Sequence, residues 1–260
     1  MEQAARDLLF CSVQHAVRFG IPLMSHASTP NMQPVLGRSS SSAGPGFHSQ
    51  IWGIQQIVAR LGICESRRRL LHMVPGFFPV LLWFIPHQDP WGPLLIGLTI
   101  AISLTTVAFA LLREDDFARP NETLWHLSVM GYSLPVLAML ILLPGRSELG
   151  LMTLGVVAFG DGSAALGGKL FRGRRLPWNR RKTWAGLACF VLAGTLGASF
   201  NYWVDARPSV HYVTAFCIAG VAAVAGAIVE SLPIRSHDNF RVGVTAALTG
   251  LAMHILLLGW

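Results

Sequence analysis

The sequence predicts an all-α fold: a polytopic transmembrane helix bundle of about seven spans, with its active-site loops on the cytoplasmic side. Three observations predict it. Charged residues make up 13% of the 260 and hydrophobic residues 52%, whereas soluble domains carry about 25% charged residues. Several stretches approach or exceed the roughly 20 apolar residues that cross a bilayer. The Lys and Arg residues of the apolar part fall almost wholly on alternate loops, as the positive-inside rule requires.

Residues 1–60 stand apart from the rest. The stretch 25–50 is rich in Ser, Pro and Gly, so this segment is expected to be a poorly ordered tail, with the integral membrane domain over 61–260. The opening MEQAARDLLF lacks the basic start and long apolar run of a secretory signal. A first, short span is expected at 70–86, which holds His72. Residues 91–112, 125–144, 184–204, 210–229 and 242–260 contain no Asp, Glu, Lys or Arg. The remaining span, 149–168, is Gly-rich and contains Asp161.

With Arg67–Arg69 cytoplasmic, seven spans put fourteen Lys and Arg on the cytoplasmic side and only Arg146 and Arg207 opposite. The C-terminus then lies outside. The net charge of +7 thus reflects topology, and a nucleic-acid partner is not expected. Gly186, Gly194 and Gly197 in one span, and Gly220, Ala223 and Gly226 in the next, predict closely packed helices. The four cysteines show neither a pairing pattern nor zinc-ligand spacing. No internal repeat is visible, which gives a repeat-built transporter no support.

The chemistry concentrates between Gly160 and Gly186. A carboxylate at membrane depth costs about 2.5–3.5 kcal/mol, so Asp161 marks a functional site. Its neighbours Gly160, Gly162, Gly167 and Gly168 are expected to let a phosphate approach the backbone. The segment is not a P-loop, since Lys169 is followed by Leu170 and not by Ser or Thr. A loop follows with seven cations (Lys169, Arg172, Arg174, Arg175, Arg180, Arg181 and Lys182) and no acidic residue. Arg forks and Lys point charges suit phosphate oxygens. Lys182-Thr183 opens the next span, where a helix N-terminus adds its own attraction for anions.

Glu230 ends a charge-free span on the same side, and Asp238-Asn239 follow it. Hard oxygen donors of this kind suit Mg²⁺ held jointly with substrate phosphates. His72 is expected at the same face, whereas His126, His211 and His254 show no ligand spacing.

Taken in order, four elements resemble the polyprenol kinase family, which includes phytol, farnesol and dolichol kinases and CTP-dependent diacylglycerol kinases. They are Arg68-Arg69-Leu70-Leu71-His72; Gly160-Asp161-Gly162; Leu176-Pro177-Trp178-Asn179 running into Lys182-Thr183-Trp184-Ala185-Gly186; and Glu230-Ser231-Leu232-Pro233 with Asp238-Asn239. The last two read most like the phytol kinase branch. Family members often have Ser at Thr183, and many have a second Asp or a Gly where this chain has Ser163-Ala164-Ala165. Whether Asp161 acts alone or with Glu230 and Asp238 stays open.

The resemblance implies a membrane kinase that transfers the terminal phosphate of CTP, or ATP, to an isoprenoid alcohol such as phytol, farnesol, geranylgeraniol or dolichol. Asp161, Glu230 and Lys182 are then the expected catalytic groups, with Asp161 and Asp238 on Mg²⁺. Lys169, Arg172, Arg174, Lys182, Thr183, Asn239 and His72 are expected on the nucleotide. The prenyl chain is expected between spans beside Phe159, Phe190 and Phe200. The rival readings are a diacylglycerol kinase or lipid cytidylyltransferase using the same site, and an anionic-solute transporter using the basic loop as a vestibule.

Overall fold

The computed structural model describes residues 63–84, 91–112, 125–171, 173–234 and 238–260. The expected tail over 1–60 and Arg172 lie outside the described residues. In chain order the helices are α1 (Ile63–Met73), α2 (Phe78–Leu82), α3 (Pro93–Leu112), α4 (Trp125–Leu142), α5 (Ser147–Phe171), α6 (Trp184–Ala206), α7 (Tyr212–Ser231) and α8 (Asp238–Leu258). The fold is all-α, as expected from the sequence.

Four helices are long and apolar enough to cross a membrane by length and composition: α5, α6, α7 and α8. Shorter apolar stretches cover Pro93–Phe109 in α3 and Val129–Leu142 in α4. The protein is therefore a membrane protein. The stretch expected as the first span is broken, because a 3₁₀ turn over Val74–Phe77 separates α1 from α2. Pro75 and Pro79 lack backbone N–H donors, which interrupts an α-helical ladder.

Packing follows membrane rather than aqueous rules. The side chains that α7 and α8 bury are largely small: Ala215, Ala219, Ala222, Ala223 and Ala227 on α7, and Ala246 and Ala247 on α8, with Ala198 on α6. Large apolar residues such as Leu192, Leu196, Val213, Leu248 and Leu256 point outward. Lipid solvates those outer faces, so close backbone approach, and not removal of apolar surface from water, holds the helices together. A Cβ added at Gly155 of α5 would lie 2.6 Å from Ala198 Cα of α6. Gly155→Ala is therefore expected to destabilise the fold by about 1–3 kcal/mol through overpacking. A lowered thermal-unfolding midpoint in detergent checks this; an unchanged midpoint would show that the crossing can widen without cost.

Two of the aromatic rings expected beside the prenyl chain, Phe190 and Phe159, instead fill helix crossings. Phe190 is fully buried and occupies the space left by Gly160 and Gly226. Phe159 fits against Gly76 and Gly197, and Phe200 stacks on Trp83 at 6.4 Å.

Buried polar side chains pin the irregular parts. Asn201 of α6 donates to the carbonyls of Gly76 (3.1 Å) and Leu151 (3.3 Å), tying the 3₁₀ turn to α5 and α6. At the start of α5, the Ser147 hydroxyl donates to Asp205 Oδ2 (2.5 Å), and Trp91 Nε1 donates to Asp205 Oδ1 (3.0 Å). These bonds satisfy a carboxylate that would otherwise be costly inside an apolar bundle.

Candidate active site

Helix α5 is not regular. Residues Val156–Asp161 form a π-helical stretch between the α-helical segments Ser147–Gly155 and Gly162–Phe171. Such bulges hold an extra residue per turn and recur at functional sites. The Ser163 hydroxyl lies 3.0 Å from the carbonyls of both Gly160 and Cys189, which fastens the stretch to α6. Asp161 closes the π stretch and is buried.

Helix α1 meets Asp161 through two residues on one face, since positions three apart on a helix are neighbours. Arg69 Nη1 donates to Asp161 Oδ2 at 2.9 Å. His72 Nε2 lies 3.6 Å from the same oxygen and makes no hydrogen bond within the described residues. Tyr132 of α4 supports this arrangement from behind. Its hydroxyl donates to the His72 carbonyl at 3.2 Å, and its ring meets the imidazole edge-on at 4.7 Å.

A second charged group sits where α6, α7 and α8 meet. The Lys182 ammonium is paired with Glu230 Oε1 and lies 3.6 Å from Asp238 Oδ2. Arg241 Nη2 donates to Asp238 Oδ1 at 2.6 Å. Burial disfavours the charge on Lys182, but Glu230, Asp161 and Asp238 outweigh it and hold the pKa above the ordinary lysine value. Gly168, two helical turns beyond Asp161, packs against Thr183, the neighbour of Lys182, which brings the two charged groups to the same end of the bundle. A group whose pKa rises on folding contributes stability that is full below its unfolded pKa and is lost as pH rises from there through the folded value. The stability due to Lys182 is therefore expected to stay level from neutral pH to about pH 10 and to fall only above the unperturbed lysine value. Unfolding midpoints along an alkaline series check this, with loss near pH 8 as the contrary result.

The basic loop is a folded turn rather than a loose tether. Leu176 N donates to Lys182 O and Trp184 N to Arg174 O, both at 3.0 Å, around an antiparallel bridge between Arg175 and Thr183. Two side chains fix it to the end of α7: Trp178 Nε1 donates to Ser231 Oγ (3.1 Å) and Asn179 Nδ2 to Ser231 O (3.0 Å). That anchoring places Lys182 beside Glu230. Thr183 is the N-cap of α6, its hydroxyl oxygen accepting from Gly186 N at 3.1 Å.

Lys169, in the last turn of α5, and Arg174 are exposed. Asn239 lies in the first turn of α8. The glycines around Asp161 differ from the expectation that they admit phosphate. A Cβ at Gly160 would strike Phe190, at Gly162 Met73, at Gly167 Cys189 and at Gly168 Thr183. They bring α1 and α6 against α5, which is what sets Asp161 beside Arg69.

Comparison with known proteins gives consistent relatives. Phytol kinase 1, chloroplastic, of Arabidopsis thaliana is 25% identical over 219 residues, covering 78% of this chain and 71% of that protein. The farnesol kinase, chloroplastic, of the same plant is 26% identical, over 75% of this chain and 68% of its own length. A probable phytol kinase, chloroplastic, of Triticum aestivum is 28% identical over 89% of this chain and 82% of its own. This chain is related to the phytol and farnesol kinases. No family model matches it, and no solved structure matches it.

In this phytol kinase relative, the structure adds residues to which sequence reasoning gave no role at the site. Arg69 carried a detectable signal, its three-residue spacing from His72. Ser231 lay within the Glu230-Ser231-Leu232-Pro233 element without a role of its own, whereas Tyr132, in a span without charges, and Arg241 carried no signal. Among the described residues no group of three or more His, Cys, Asp or Glu forms a ready metal cage. The carboxylates present are all hard oxygen donors, and Asp161, Glu230 and Asp238 each face a cation. Hard oxygen donors of this kind are of the type that suits Mg²⁺.

Proposed function

We propose that this protein is a membrane kinase that moves the terminal phosphate of a nucleoside triphosphate onto the hydroxyl of an isoprenoid alcohol. The observation that carries this reading is the convergence of Asp161, Lys182, Glu230 and Asp238, from separate segments, beside a folded loop of cations. The names of the related kinases favour phytol or farnesol as the kind of acceptor. The family resemblance favours CTP as donor. The distribution of Lys and Arg supports a cytoplasmic face for the site.

Phosphoryl transfer is mainly a matter of positioning and charge stabilisation. Before nucleotide arrives, Arg69 neutralises Asp161, and Lys182 neutralises Glu230. Incoming phosphates compete for those cations. Lys182, with Lys169 at the end of α5 and Arg174 of the loop, then faces the phosphate oxygens. Mg²⁺, held by Asp161 and Asp238, would add charge neutralisation on the phosphates. Freed of its partner, Asp161 or Glu230 accepts the proton of the alcohol. The alcohol oxygen bonds to the terminal phosphorus, the bridging P–O bond breaks, and the nucleoside diphosphate leaves. His72, held by Tyr132, keeps Asp161 oriented.

Membranes containing the protein, incubated with Mg²⁺, CTP or ATP and a panel of phytol, farnesol, geranylgeraniol, dolichol and diacylglycerol, test the reading. The expected products are an isoprenoid monophosphate and CDP. Release of pyrophosphate with a CDP-linked lipid would instead identify a cytidylyltransferase, and no lipid phosphate from any alcohol would sink the kinase reading.

A further inference from the structure

The basic loop carries a large aromatic side chain that its own packing leaves open. Leu176 is the residue the loop buries, at 1% exposed, whereas Trp178 two positions later stays 46% exposed. Yet the Trp178 ring is held. Its Nε1 donates to Ser231 Oγ at 3.1 Å, and Ser231 is itself buried. The ring of Trp184, the first residue of α6, meets it edge to face with centroids 5.6 Å apart. The indole N–H is thus engaged inside the protein, and the part left open is ring carbon.

We propose that the open face of Trp178 is the platform on which the base of the donor nucleotide stacks. The proposal rests on the kinase reading above and adds a base subsite to it. Position chooses this occupant. Lys182 N donates to Asn179 O at 3.0 Å, closing the turn that carries both Trp178 and Lys182. The two residues are four positions apart, so their backbones lie within about 14 Å of each other. A nucleoside triphosphate bridges that distance, with its phosphates at Lys182 and its base at Trp178. Ser231, which holds the ring, directly follows Glu230, which pairs with Lys182.

Charge and orientation agree with position. Arg174, Arg175, Arg180 and Arg181 are all exposed on the same loop, which has no acidic residue, so a polyanion is drawn to it. A tryptophan that anchors a membrane interface keeps its N–H on the wet side and its ring toward lipid. Trp178 instead turns its N–H to a buried hydroxyl. Every base has a π-face, so the platform positions the base without choosing cytosine over adenine.

The test measures equilibrium binding to the full-length protein without any lipid alcohol, using CTP, ATP and inorganic triphosphate with Mg²⁺ as the probes. Trp178→Ala is expected to weaken CTP and ATP about tenfold or more, the scale of one base–aromatic stack, and to leave triphosphate binding unchanged. Trp178→Phe keeps an aromatic face and loses the N–H, and it is expected to retain most of the affinity for both nucleotides. Equal losses for nucleotides and triphosphate in Trp178→Ala would mean that the ring only holds the cationic loop in shape, which overturns the proposal.

Unchanged nucleotide affinity in Trp178→Ala overturns it as well. In that case, fluorescence lost with Trp178→Phe and quenched by brominated phospholipid in vesicles would identify the ring as a membrane anchor. A selective loss of nucleotide affinity in a protein that phosphorylates no alcohol would keep the base platform and remove the kinase reading.

Discussion

Asp161→Asn is expected to lower lipid-alcohol phosphorylation by about a thousandfold, the scale seen when one pre-organised electrostatic group is removed from a transition state. The substitution keeps the shape of the side chain, so the helix crossings made by Gly160 and Gly162 should persist. What changes is charge. Arg69 and His72, now gathered on one carboxylate oxygen, lose their anion, and an amide neither binds Mg²⁺ well nor accepts the alcohol proton. Initial rates with saturating nucleotide, compared with yield and size-exclusion profile in detergent, separate chemistry from folding. Full activity in a well-folded Asp161→Asn would remove Asp161 from the reaction.

Lys182→Met separates stability from catalysis at the same site. Glu230 is only 5% exposed and has Lys182 as its cation. Taking away one partner of a buried pair typically costs about 3–5 kcal/mol, because the remaining charge stays desolvated and uncompensated. The single variant is therefore expected to unfold at a markedly lower temperature. Adding Glu230→Gln removes the orphaned charge, so the double variant Lys182→Met/Glu230→Gln is expected to recover most of that loss. Turnover should stay low in both, since the phosphate-facing ammonium is gone. A double variant no more stable than the single would mean that the pair is not the source of the stability.

These outcomes depend on contacts across long stretches of chain. Arg69 and Asp161 are 92 residues apart, and Lys182 and Glu230 are 48 apart. Spacing reveals that Arg69 and His72 share a helical face, yet nothing local says which carboxylate that face will meet. The glycines around Asp161 illustrate the same limit. In sequence they look like room for a ligand; in the fold each is room for a neighbouring side chain. Phe159, Phe190 and Phe200 were plausible lining for a lipid chain by residue type. Close helix crossings hold Phe159 and Phe190, and Phe200 stacks on Trp83.

By itself, the sequence determined that the chain is an all-α membrane protein, where its main apolar helices run, and that its conspicuous acid and cations lie around one stretch. Those properties are sums over neighbouring residues: hydropathy adds along a span, and loop charge acts through the nearest membrane face. The tertiary structure decided which charges pair, that the first expected span breaks at Val74–Phe77, and that α5 takes a π-helical stretch before Asp161. Each depends on how one helix is rotated against another. At contacts within hydrogen-bond reach, a rotation of one residue exchanges an ion pair for a face turned to lipid.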